Sequence, residues 1–178
     1  MRALIISADE FEDTELLVPY YRLKEEGLEV DIASIKKGKI KGKHGYEVEV
    51  SKSVDEIEPD DYSILILPGG RAPERLKKEN RVLDIVRHFF EKNKPVSAIC
   101  HGPLVLASSG VISGREVTGY RATKEELIKA GAIYKDKEVV IDGNLVTSRQ
   151  PSDLPSFLKE TLRHLRAYEK IVHNSVKK

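Results

Sequence analysis

Four short apolar runs set the frame of this chain: Ala3–Ser7, Val30–Ser34, Ile64–Leu67 and Val96–Ile99. Each is continuously apolar or nearly so, the pattern of a strand covered on both faces and therefore of a parallel sheet sandwiched between helices. Between them lie segments of helical period. Glu15–Glu26 is closed by Gly27, and Asn80–Lys92 puts Val82, Ile85, Val86, Phe89 and Phe90 on one stripe. Strand and helix alternate, the order of a doubly wound α/β sheet. Pro19 is expected to kink the first helix or delay its start, because its ring removes one backbone hydrogen bond.

The glycines and lysines of Gly38–Gly45 predict a hairpin, followed by a half-exposed strand in which Tyr46, Val48 and Val50 alternate with Glu47 and Glu49. After Cys100 the pattern gives a helix to about Ser109, a short strand at Glu116–Thr118 and a helix at Thr123–Ala130. Strands follow near Val139–Ile141 and Leu145–Ser148. Ser152 or Asp153 is placed to cap a final helix with Leu158, Leu162, Leu165 and Val172 on one face.

A length of 178 residues suits one domain. The 30 Lys and Arg nearly cancel the 29 Asp and Glu, so no global field draws the chain to nucleic acid, to an anionic membrane or to an acidic substrate. The basic run from Arg163 to Lys178 reads as a solvated helix end whose cations favour the C-terminal dipole. No stretch is apolar for long enough to cross a bilayer, and Ala3–Ile6 is too short for a signal peptide. A single cysteine forms no internal disulfide, which fits a reducing, cytoplasmic setting. Heavy use of Lys, Glu and Arg resembles the composition of proteins from hot environments.

In an open parallel sheet, ligands bind beyond the carboxyl ends of the strands. Three loops are therefore of interest: Ala8–Asp13, Pro68–Glu74 and Cys100-His101-Gly102-Pro103. Cys100 follows its strand without a spacer, and Gly102 permits an immediate turn into a helix, the form of a nucleophile elbow. A thiol there meets unpaired N–H groups and the positive end of a helix dipole, which is expected to lower its pKa. The alternative is a small buried hydrophobe at the end of a core strand.

His101 is placed to act as base or acid, and Glu74 is an available carboxylate to orient its ring; it is equally a solvated acid at a helix start. Gly69 and Gly70 leave backbone N–H groups unobstructed, so that with the His101 N–H they could hold an oxyanion, or else they serve a turn needing positive φ. Glu12 is expected to point at the Cys100 sulfur, protonated if buried, and otherwise to be one loop acid among Asp9, Glu10 and Asp13. The glycines at 38, 42 and 45 lack dinucleotide-binding spacing, and the five histidines lack metal-site spacing, so neither a cofactor nor a metal is implied.

The run Ala98–Pro103, preceded by Leu67–Glu74 and by Glu10–Asp13, resembles the PfpI-type intracellular cysteine peptidase family of the DJ/PfpI superfamily. The likeness covers about residues 1–165 and leaves 166–178 as a C-terminal helical extension. It implies a flavodoxin-like three-layer sandwich with Cys100 as nucleophile, His101 as its partner, Glu12 beside the sulfur and Glu74 acting from a neighbouring subunit. It also implies a homo-oligomer, a dimer building to a hexamer. The implied activity is hydrolysis of peptides; a cofactor-independent deglycase or glyoxalase working on small carbonyl substrates, and a redox-sensing stress chaperone, are the alternatives. Tyr120, after the strand at Glu116–Thr118, either lines the pocket or is an ordinary core or surface tyrosine.

Overall fold

The computed structural model describes residues 1–177. Its elements are β1 (Arg2–Ile6), α1 (Asp13–Glu25), β2 (Glu29–Ser34), β3 (Gly38–Lys41), β4 (Glu47–Val50), β5 (Lys52–Ser53), β6 (Ile64–Leu67), α2 (Ala72–Leu76) and α3 (Asn80–Glu91). There follow β7 (Val96–Ile99), α4 (Pro103–Ser109), β8 (Glu116–Val117), α5 (Lys124–Lys129), β9 (Ile133–Tyr134), β10 (Val140–Asp142), β11 (Leu145–Ser148) and α6 (Leu154–Val176). The four apolar runs become β1, β2, β6 and β7, and every residue of β6 and β7 is buried.

The main sheet has the order β10-β11-β7-β6-β1-β2-β5. All of its pairings are parallel except β10 with β11. From the central pair the chain winds outward both ways, β1 to β2 on one side and β6 to β7 on the other. Right-handed crossovers then put α1 and α3 on opposite faces. α1 packs with α6, and α3 with α4, so helices cover both faces of a flavodoxin-like sandwich. The reversal between β1 and β6 opens a crevice at their carboxyl ends, with the end of β7 beside it.

Three expectations shift on the structure. α1 begins at Asp13 and carries Pro19 in its interior, so the proline does not delay its start. Asp153 stands at the N-cap position of α6 but makes no side-chain cap bond; its carboxylate accepts from the Arg149 backbone N–H and guanidinium instead. On α6 the buried face ends at Leu165, and Val172 is exposed. Among the described residues no helix is long and apolar enough to cross a membrane.

Candidate active site

Cys100 is the residue at which β7 ends, and its φ of 63° lies in the left-handed region that non-glycine residues rarely occupy. Two interactions hold the turn there. The Cys100 N–H donates to Ser148 O at 3.0 Å, and its carbonyl accepts from the Tyr120 N–H at 2.8 Å. A side chain at Gly102 would collide with the carbonyl oxygen of Leu67, so only glycine lets the elbow pass so close to β6. Strain stored at a residue so firmly held is a pointer to function.

The thiol sits at the floor of a 360 Å³ cleft lined by Glu12, Glu15, Lys43, Gly70, Arg71, Cys100, His101, Tyr120, Gln150 and Pro151. Only 6% of Cys100 is exposed. Its Sγ lies 3.2 Å from His101 Nδ1. The His101 ring stacks on Tyr120 at 5.1 Å between centroids, which fixes the plane of the imidazole and makes Tyr120 a wall of the cleft. Burial pulls the His101 pKa down, only partly offset by the charge of Glu74, so the ring is a neutral proton acceptor.

The acid at the sulfur is Glu15, and the expectation for Glu12 is corrected accordingly. Glu12 is the N-cap of α1, and its Oε2 accepts the backbone N–H groups of Thr14 at 2.9 Å and Glu15 at 3.2 Å, together with the Thr14 hydroxyl. Its other oxygen lies 3.2 Å from His44 Nε2. Glu12 thus lines the cleft with its carboxylate already engaged. Glu15, one turn into the helix, is fully buried; its Oε1 accepts the Gly69 N–H at 2.9 Å, and its carboxyl interacts with the Cys100 thiol. Desolvation, reinforced by the charge of Glu12, pushes its pKa up to about 8, so Glu15 is protonated at neutral pH.

The glycine pair divides its work. The Gly69 N–H is consumed by Glu15, and a Cβ on Gly69 would lie 2.6 Å from that of Cys100. Gly69 is therefore a spacer between the two side chains, and the expected oxyanion donor is lost from the set. Gly70, at φ 82°, and His101 turn their N–H groups toward the sulfur. These amides pull the thiol pKa down, as a helix start should, but burial outweighs them and pushes it up to about 12, a rise to which Glu15 adds once it has lost its own proton. The expected lowering of the thiol pKa therefore does not occur in the resting site.

Glu74 lies in the first turn of α2, half exposed, and its carboxylate is 2.8 Å from Lys77 Nζ, which also meets Glu126 at 2.9 Å. Within one chain, among the described residues, Glu74 makes no hydrogen bond to His101. Four lining residues escaped the sequence reading: Glu15, Lys43, Gln150 and Pro151. Glu15 had a usable signal. With a helix beginning at Asp13, Glu12 falls at the N-cap, where its side chain folds back onto the first turn, leaving Glu15, three residues on, to face the sheet. Lys43 had none, since a hairpin tip is brought here only by tertiary packing.

The chain matches the DJ-1/PfpI family over residues 1–164. It belongs to that family. It is 51% identical to Deglycase PfpI of Pyrococcus furiosus over 93% of this chain and 100% of that protein. It is 40% identical to the Bacillus subtilis protein named "Putative cysteine protease YraA", over 91% of this chain and 96% of the other. Among solved structures, a two-domain Anabaena variabilis protein with DJ-1/ThiJ/PfpI-like and ferritin-like domains superposes with a TM-score of 0.90 at 34% identity, matching 92% of this chain and 48% of that one. The chain thus spans about half the length of that two-domain protein. The names of these relatives agree with the expectation of a cysteine-dependent hydrolase.

Proposed function

We propose that this protein is a cysteine hydrolase of deglycase type, in which Cys100 attacks small 2-oxoaldehydes and the adducts they form. The observation that carries the reading is the placing of the thiol: at the floor of a 360 Å³ cleft, between a neutral histidine and a protonated glutamic acid. A cleft of that size accepts a small carbonyl compound, whereas a folded polypeptide would have to unwind to bring its backbone to the floor. The deglycase names of archaeal relatives matched along their whole length support the same choice.

His101 Nδ1 takes the thiol proton as Sγ bonds to the aldehyde carbon, and the carbonyl electron pair moves to oxygen, held by the Gly70 and His101 N–H groups. Glu15 donates its proton to that oxygen, giving a hemithioacetal and leaving a carboxylate. The carboxylate removes the hydrogen of the sulfur-bearing carbon as a proton and returns it to the neighbouring carbon, while the hydroxyl proton on the first carbon passes to the neighbouring carbonyl oxygen. The first carbon is thereby oxidised to a thioester as the second is reduced to an alcohol, with no external oxidant. Water then cleaves the thioester and releases a 2-hydroxy acid; His101 returns its proton to the sulfur and Glu15 takes the proton that the attacking water gives up. Glu74 from a second subunit would orient His101, which makes a homo-oligomer the active form.

The test is release of lactate from methylglyoxal and from methylglyoxal-treated N-acetyl-lysine, set beside hydrolysis of a fluorogenic peptide. Lactate formation by wild type and its loss in Cys100→Ser is the expected result. Peptide cleavage without lactate formation would overturn the deglycase reading in favour of a peptidase.

A further inference from the structure

We propose that Lys43 makes this cleft selective for anionic substrates, drawing in carbonyl compounds that carry a carboxylate a few bonds from the carbon that Cys100 attacks. The inference builds on the cysteine chemistry proposed above. It rests on how the hairpin tip is fastened and on which charged groups around the thiol already have partners.

The β3–β4 hairpin stands outside the main sheet, yet its tip is tied to the loop after β1 from several directions. The Lys43 N–H donates to Phe11 O at 2.9 Å, and the Glu10 N–H to Lys41 O at 2.7 Å. The buried Asp13 carboxylate accepts the N–H groups of His44 and Tyr46, each at 3.0 Å. A Cβ on Gly42 would overlap that carboxylate, so the glycine is what lets the tip close down on α1. Lys43 is held from both sides at the cleft, opposite the elbow.

The other charged groups around the cleft are engaged elsewhere or neutral, and none pairs with Lys43 directly. Glu12 is engaged by Thr14, the Glu15 N–H and His44, and Glu15 is protonated at neutral pH. Glu74 pairs with Lys77, and Arg71 lies 3.7 Å from Glu10. Among the described residues Lys43 has no carboxylate within ion-pair distance, while its charge is felt at Glu15, Cys100 and His101. A cation with no carboxylate partner in a partly enclosed cleft offers an anion a direct contact there, whereas the Glu12 carboxylate is already occupied by its own hydrogen bonds. It would also hold the negative end of such a substrate while the aldehyde reaches the sulfur.

The first test needs no turnover: the alkylation rates of Cys100 by iodoacetate, an anion, and by iodoacetamide, its neutral analogue. Any effect of Lys43 on the thiol itself cancels in the ratio of the two rates. Lys43→Met should lower the iodoacetate-to-iodoacetamide ratio about fivefold to twentyfold, Lys43→Arg should keep it, and Lys43→Glu should lower it further. The wild-type ratio should also fall as salt is added. An unchanged ratio in Lys43→Met overturns the proposal, and because Lys43 is exposed the variant is expected to fold. The second test compares kcat/KM for 4-carboxyphenylglyoxal and phenylglyoxal. Wild type should favour the carboxylated compound and Lys43→Met should lose the preference; equal preference in both enzymes overturns the substrate assignment. If wild type consumes neither, the proposed chemistry fails, and the alkylation ratio still decides the role of Lys43.

Discussion

Where β1, β6 and β7 end, three loops meet so closely that three of their glycines have no room for a methyl group, whereas the last turns of α6 stand clear of the body with Ile171, Val172 and Val176 in solvent. Both regions are well-formed secondary structure. They differ in how much of the molecule depends on each atom. At the elbow a displaced backbone moves the thiol, the two amides and the acid together. Along the end of α6 a changed side chain has no buried neighbour to disturb.

That contrast predicts a steep gradient of effects. The largest belongs to Cys100→Ser: kcat/KM for methylglyoxal should fall by about a thousandfold or more while thermal stability barely moves. Gly102→Ala comes next, because its methyl group would collide with the carbonyl oxygen of Leu67, which is backbone and cannot rotate away. Overpacking at such a position should cost about 2–4 kcal/mol in denaturant unfolding, with activity lost as the elbow opens. A Gly102→Ala protein as stable as wild type would show that the crossing has room for a methyl group.

The two glutamates at the start of α1 sharpen the comparison within a single helical turn. Glu12→Gln should cost roughly 0.5–1 kcal/mol through a weakened cap and leave kcat/KM within about threefold. Glu15→Gln should lower kcat/KM by about a hundredfold, since the amide can still accept the Gly69 N–H but cannot donate and recover a proton. Stability should show the opposite sign. Glu15 keeps its proton in the folded state up to about 8, against 4.5 as the unperturbed value, so between those limits the folded state binds more protons than the unfolded one. Wild-type stability from this group is therefore lost as pH rises through that window, and Glu15→Gln should gain on wild type by on the order of 2–4 kcal/mol from about pH 5 to about pH 9. A parallel pair of stability curves would remove Glu15 from the buried, protonated role.

The fold was legible because burial on both faces writes itself as unbroken apolar runs, and Ile64–Leu67 and Val96–Ile99 could be little else. The elbow was legible for a related reason: Cys100 and Gly102 follow such a run with no spacer. The acid was not, because choosing between Glu12 and Glu15 depended on the first residue of α1, and helix ends are where periodicity says least. The thiol pKa was misjudged because a helix dipole can be counted from sequence, whereas desolvation by walls drawn from Tyr120 and Gln150 cannot. Lys43 lay further still from view, since its place depends on hydrogen bonds between segments about thirty residues apart.

The smallest effect is expected at the far end of the contrast. Leu165 is the last buried residue of α6, and Arg166, paired with Glu26, is the last to bind back to the body of the fold. Tyr168 and Glu169 are still half-buried, but beyond them the helix offers Ile171 at 64% exposure and Val176 at 81%, so removing residues 170–178 takes away little buried surface. Such a truncation should change unfolding free energy by less than about 0.5 kcal/mol, whereas Leu165→Ala, a few residues upstream, should cost about 2–4 kcal/mol. The measurement to set beside these is the mass in solution. If truncation costs as much as Leu165→Ala, or halves the mass of an assembly, then Ile171, Val172 and Val176 are covered by another copy of the chain, and the end of α6 joins the elbow as a region whose side chains cannot be exchanged freely.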